Sequence, residues 1–143
     1  VFLRHNGCMF CREALADLER HRVAIETLGA RVALVHMGTE RQAKAFLQRY
    51  DLEDLPRVSD PERHLYRAFG LGRGDLWRLA GPGVWWRGFQ AAILRGHGFG
   101  RIAGDVFQMP GVFLISHGAV LRSYRHHSAA DRPDYLRLAA LEG

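Results

Sequence analysis

V-F-L-R-H-N-G-C-M-F-C-R-E, residues 1–13, is the stretch on which the fold turns. Val1 to His5 is short and apolar and reads as a buried strand. Asn6-Gly7 breaks it. From Cys8 to about Leu28 the pattern becomes helical: Leu15, Leu18, Val23 and Ile25 are apolar, while Arg12, Glu13, Asp17, Glu19 and Arg20 are polar. Gly29 supplies a C-cap. The chain's two cysteines, Cys8 and Cys11, therefore fall three positions apart where a strand hands over to a helix.

The rest of the chain extends this alternation. Arg31 to Met37 holds a continuous apolar run suited to a buried parallel strand. Thr39 caps a helix from about Glu40 to Arg49, with Ala43, Phe46, Leu47 and Tyr50 at helical spacing. Asp60 fits an N-cap and Pro61 the first position of a further helix that presents Leu65, Tyr66 and Phe69, and Gly70-Leu71-Gly72 ends it. Residues 73–104 hold all three tryptophans and are split by Gly81-Pro82-Gly83 into two short helical pieces. Val112 to Ile115 is a buried strand, His117-Gly118 a turn, Ala119 to His126 an antiparallel return strand, and Pro133 opens a last helix.

The order β-α-β-α-α-insert-β-β-α predicts an α/β protein with a mixed sheet and helices on both faces. It resembles the thioredoxin-like fold: a central mixed β-sheet flanked by helices, with a helical insert at approximately 73–104 before the C-terminal β-hairpin. The 143 residues fit a single domain, 1–143.

The C-x-x-C spacing carries the chemistry. The first turn of a helix has N–H groups without intrahelical partners, and their partial positive charge favours thiolate over thiol. In such motifs the thiol pKa falls from about 8.5 to roughly 3.5–7.5. Cys8 is then the attacking sulfur, toward a disulfide, another electrophilic sulfur or a peroxide oxygen. Cys11, about one turn on, resolves the intermediate by closing Cys8–Cys11. A structural disulfide over so short a loop would add little stability. Two inert buried thiols are the alternative. A zinc site needs further ligands, and there is no second C-x-x-C, so neither metal nor cofactor is expected.

Further segments carry a resemblance. Residues 1–13 together with S-D-P-E-R-H-L-Y-R-A-F-G-L (59–71), L-R-G-H-G (94–98) and G-D-V-F-Q-M-P-G-V-F-L-I (104–115) resemble the peroxiredoxin-like branch of the alkyl hydroperoxide reductase / thiol-specific antioxidant family. The resemblance implies a thiol-based antioxidant or redox enzyme with Cys8, Cys11 and Pro110 at the site. In the thioredoxin-like fold a cis-proline at the place of Pro110 faces the cysteine pair, so a cis Met109–Pro110 bond is expected. The chain departs from the peroxiredoxin pattern P-x-x-x-[T/S]-x-x-C. His5 stands three before Cys8, and if Cys11 is taken as the peroxide-reacting cysteine, Cys8 takes the hydroxyl position. Neither register supplies the proline and hydroxyl that hold a peroxide, whereas disulfide exchange needs only the pair, the helix end and the proline. The implied partners are a disulfide or peroxide substrate and an external thiol reductant. The other readings are a true peroxidase using Cys11 and a non-catalytic binding module using the Trp-rich insert.

Charge and composition narrow the remaining classes. The formal charge is +5 and Lys44 is the only lysine. Arginines run from Arg4 to Arg137 without a basic cluster, which fits solvated surface charge rather than nucleic-acid binding. With 48% hydrophobic and 24% charged residues the composition is that of a soluble globular domain. No apolar run approaches the roughly 20 residues of a membrane helix. Trp77, Trp85, Trp86 and Phe89, with Arg78 and Arg87, form an amphipathic patch that fits packing over the sheet edge or a homodimer interface better than a membrane surface. No targeting segment is visible, so a cytoplasmic location is expected. Val1-Phe2-Leu3 reads as strand interior, so further chain is expected before it. Arg12 reads as a solvated first-turn residue and the His126-His127 pair as surface, while the family resemblance implies that Asp105 and Gln108 lie beside Pro110.

Overall fold

Helix α1, Met9–Thr27, buries Cys11, Leu15, Leu18 and Ile25. Their spacing of three, four and seven places them on one face. The helix ends as expected at Gly29, whose φ is +84°. Its N–H donates to the Glu26 carbonyl at 2.9 Å and that of Ala30 to Ile25 at 3.3 Å. This six-to-one and five-to-two pair uses carbonyls the helix leaves open, and it needs a left-handed residue. The computed structural model describes residues 1–4, 9–73, 82, 86–87, 108–128 and 130–140. Cys8, His5, Asp105 and the two helical pieces expected within 73–104 lie outside the described residues, apart from Arg73, Pro82, Trp86 and Arg87.

Two strand pairs follow. Strand β1, Leu34–His36, runs parallel to β2, Arg57–Ser59, with Val35 opposite Val58. The first of these is shorter than the expected 31–37. Between them α2, Glu40–Leu47, starts at Thr39 with a full capping box to Gln42. Strand β3, Gly111–Ser116, pairs antiparallel with β4, Ala119–Arg125. The turn His117-Gly118 has φ of 49° and 79°, the two left-handed residues a tight hairpin demands. The segment Val1–Leu3 ties the pairs together. Leu3 N–H donates to Val35 O at 2.9 Å, Val35 N–H to Val1 O at 2.9 Å, and Phe2 N–H to Gly111 O at 2.8 Å. Phe2 thus bridges Val35 in parallel and Gly111 in antiparallel sense.

Adjacent residues of an extended segment point to opposite faces, and the core divides accordingly. Leu3 packs with Leu15, Leu18, Val112 and Tyr135, between α1 and α4, Tyr135–Ala139. Phe2 packs with Tyr66 of α3, His64–Ala68, and with Met37 and Leu71. Its ring meets Tyr66 edge-on at 5.1 Å and Phe113 at 5.4 Å. This mixed helix and strand content is consistent with an α/β thioredoxin-like fold.

Two helix starts are corrected. Helix α3 begins at His64, not Pro61, because Arg63 adopts φ 61° and interrupts the turn. The N-cap is therefore Arg63 rather than Asp60, although the Asp60 carboxylate still accepts from the first-turn N–H groups of His64 at 2.9 Å and Leu65 at 2.8 Å. Helix α4 begins after Asp134, whose carboxylate accepts from Arg137 N–H, and Pro133 stands outside it. Arg73 and Gln108 form an isolated antiparallel bridge, so the chain departs after Arg73 and returns at Gln108 side by side.

Candidate active site

Cys11 is the third residue of α1 and only 5% exposed. The main-chain N–H of Arg4 donates to its Sγ at 3.2 Å. Hydrogen bonds and the helix N-terminus both favour a thiolate, while apolar burial opposes it. The Arg4 side chain is itself buried and its Nε donates to the Gln108 carbonyl at 3.2 Å. Gln108 is fully buried, and its amide donates to the carbonyls of Leu71, Gly72 and Met109 at 3.0–3.1 Å. The start of α1, the segment before it and the run into β3 are thereby locked to one another.

A cavity of about 20 Å³ opens beside Cys11, with room for about one water molecule. Arg4, Cys11, Pro110, His126, Asp131 and Tyr135 are among its walls. Burial raises the Tyr135 phenol well above its ordinary pKa, with Asp17 and Cys11 adding to the effect. Burial does the same to Tyr66, whose hydroxyl donates to Leu3 O at 2.5 Å. Both phenols therefore stay protonated. Burial pushes His126 down to about 4, with Arg4 and His127 acting in the same direction and Asp131 opposing. Both of its ring nitrogens are buried without a hydrogen-bond partner among the described residues. A second hollow, about 560 Å³, lies elsewhere along Leu18, Ile25, Leu28, Leu114 and Leu138, and Cys11 does not line it.

Cys11 and Pro110 meet at this cavity, while Cys8 lies outside the described residues. The expected cis bond is corrected: Met109–Pro110 is trans. The backbone around it is engaged within the protein. Met109 N–H donates to Gly72 O at 3.0 Å, Met109 O accepts from Gln108, and Pro110 O accepts from His126 N–H at 3.3 Å. Pro110 therefore forms no cis-proline wall and stands beside Cys11 as a cavity residue. Arg12 places its guanidinium over the Phe46 ring at 5.8 Å. His126 is the residue that sequence reasoning misplaced. Its neighbour His127 is exposed, but His126 shares a face with Tyr124, and the rings meet at 5.3 Å. The period-two alternation of β4 continued one step past its end was the available signal.

The profile of the AhpC/TSA antioxidant enzymes matches residues 17–128. The chain belongs to this family. The matched span holds Pro110 and His126 and stops short of both cysteines. Human Peroxiredoxin-like 2A is 26% identical over 141 residues, which cover 94% of this chain and 57% of that protein. The chain thus spans little more than half the length of this relative. No solved structure matches. The chain is a peroxiredoxin-like member of this family within the thioredoxin-like superfamily. Among the described residues, no cluster of His, Cys, Asp and Glu could hold a metal ion, and no helix is long and apolar enough to cross a membrane.

Proposed function

We propose that the chain is a thiol–disulfide oxidoreductase working through Cys8 and Cys11. The observation that carries this reading is Cys11 in the first turn of α1, hydrogen-bonded by Arg4 N–H and facing Pro110 and His126 across a small cavity. In the proposed cycle the Cys8 thiolate attacks one sulfur of a disulfide substrate and expels the other as a thiolate. Cys11 then attacks the Cys8 sulfur of the mixed disulfide. The Cys8–Cys11 bond forms, the second substrate sulfur leaves as a thiolate, and two electrons have passed to the substrate. An external thiol reductant restores the pair. The same proposal takes 1–143 as one domain with a central mixed sheet, residues 73–104 as its insert, the insert's Trp-rich patch as the surface for a homodimer, and the cytoplasm as its compartment.

Insulin reduction or DTNB turnover by the wild-type chain, Cys8→Ser and Cys11→Ser tests it. Either substitution should lower turnover at least a hundredfold, because each removes a sulfur that must bond. Equal turnover by all three chains would end the redox reading. A second reading, peroxide reduction by Cys11, is supported by the thiol's hydrogen bond from Arg4 N–H beside a small cavity. Single-turnover consumption of an organic hydroperoxide by Cys8→Ser tests it, with sulfenic acid on Cys11 as the expected product.

A further inference from the structure

We propose that the stretch from His126 to Asp134 is a strap, fastened to α1 by Arg132, that keeps Cys11 closed and lifts before this thiol reacts. The inference rests on the reading of Cys11 as a working thiol. A sulfur that is to bond a second sulfur at about 2.05 Å has to be reached. Cys11 is only 5% exposed. Part of its cover comes from the strap: His126 and Asp131, with Tyr135 just beyond them, wall the small cavity that Cys11 borders. The fastening of the strap lies on the same helix as the thiol, at Glu13 and Asp17.

The strap is built as a unit and tied outward at few points. Inside it, the Asp131 carboxylate accepts from His127 N–H at 2.7 Å and Ser128 N–H at 3.2 Å. Ser128 Oγ accepts from Ala130 N–H at 3.1 Å, and Asp131 N–H donates to Ser128 O at 3.3 Å. Asp131 also meets the hydroxyl of Tyr124 in β4, the strand from which the strap springs. Among the described residues, its main chain makes one hydrogen bond to a segment outside it and α4, from His126 N–H to Pro110 O at 3.3 Å. The tie to α1 is the Arg132 side chain, with Nε and Nη2 on Asp17 at 3.1 and 2.7 Å and Nη1 on Glu13 at 3.1 Å. That side chain is 33% exposed, so water and salt reach the fastening as they do not reach the core around Leu15 and Leu18. Segments held by few buried contacts open at lower free energy than the core does. Release of Arg132 therefore frees the strap while α1 and the sheet stay folded.

The test labels the full chain carrying Cys8→Ser with iodoacetamide, so that Cys11 alone reports, at urea concentrations below the unfolding transition. Each rate is divided by the thiolate fraction, read by titrating the ultraviolet absorbance of the thiolate. Lifting the strap exposes little surface, so the rate should rise with urea far less steeply than the global unfolding constant does. Arg132→Gln should label about tenfold faster in the absence of urea and keep the shallow slope. Arg132→Lys, which keeps the charge but not the fork, should fall between the two. A slope equal to that of global unfolding, in either the parent or Arg132→Gln, overturns the proposal, because Cys11 is then reached only when the domain unfolds. An Arg132→Gln rate within about twofold of the parent overturns it too. If Arg132→Gln does not fold, Arg132→Lys makes the same comparison. Labelling needs no turnover, so a redox reading that failed by Cys8→Ser and Cys11→Ser activity would be told apart from a failure here.

Discussion

Helix α1 buries polar groups in two places within two turns, and it treats them in opposite ways. At its start the thiol of Cys11 lines a small cavity together with His126, whose ring nitrogens have no hydrogen-bond partner among the described residues. Further along, Glu13 and Asp17 are 1% and 6% exposed, and arginines surround them. Arg132 reaches Glu13 at 3.1 Å and grips Asp17 at 2.7 Å through Nη2, with Nε at 3.1 Å from the other oxygen. Arg87 meets Glu13 at 3.2 Å, and Arg20 pairs with Asp17 from one turn on. The second place is a clamp: it fixes the segment before α4 onto α1. The first leaves ring nitrogens of His126 unbonded near a thiol, among the described residues. Ion-paired clusters of this kind specify structure, and polar groups left over beside a thiol are where function is sought.

The largest stability effect should come from the clamp. Asp17→Ala leaves Arg132 facing the buried side of α1 without its forked acceptor. Removing one partner of a largely buried pair costs about 3 kcal/mol, here lowered somewhat because the Arg132 side chain is 33% exposed. The midpoint of urea unfolding reads it. A loss below about 1 kcal/mol would mean that the clamp is a surface network and that the contrast fails. The Cys11 thiolate titration of the folded Asp17→Ala chain should stay where it was.

A smaller effect separates the two places by pH. His126 titrates near 6.5 when unfolded and at about 4 when folded. The unfolded chain therefore binds more protons between these values. Stability is fully present above about 6.5 and declines as pH falls toward 4. The span corresponds to an upper bound of roughly 3 kcal/mol, reduced by solvent reaching the ring. His126→Gln should flatten that slope of unfolding free energy against pH. An unchanged slope would assign the acid sensitivity to other groups.

What the sequence disclosed, and what it hid, follows the same division. Helix α1, the Gly29 cap, the Thr39 box and the His117-Gly118 hairpin depend on local periodicity and turn chemistry, and each is found where it was expected. Proximity of Cys11 and Pro110 follows from element order. The clamp was not legible, because Glu13 and Asp17 read as the polar face of an amphipathic helix and their partner Arg132 is over a hundred residues away. The isomer of Met109–Pro110 was not legible either, since it depends on how the neighbouring carbonyls are used. His126 was hidden by His127: two adjacent histidines look alike until a strand end assigns one to each side.

The smallest expected effect uses that neighbour as the internal control. His127 is exposed, and its link to the loop is through its main-chain N–H, which donates to Asp131 at 2.7 Å and survives any side-chain change except proline. His127→Ala should therefore alter stability by no more than about 0.5 kcal/mol, the ordinary range for an exposed position. It should leave the Cys11 thiolate titration within experimental scatter of the parent chain. Urea unfolding and the ultraviolet titration read both. If His127→Ala does shift the Cys11 titration, the field of the histidine pair reaches the thiol. The contrast between the cavity and the ion-paired clamp would then have to be redrawn as a contrast of charge.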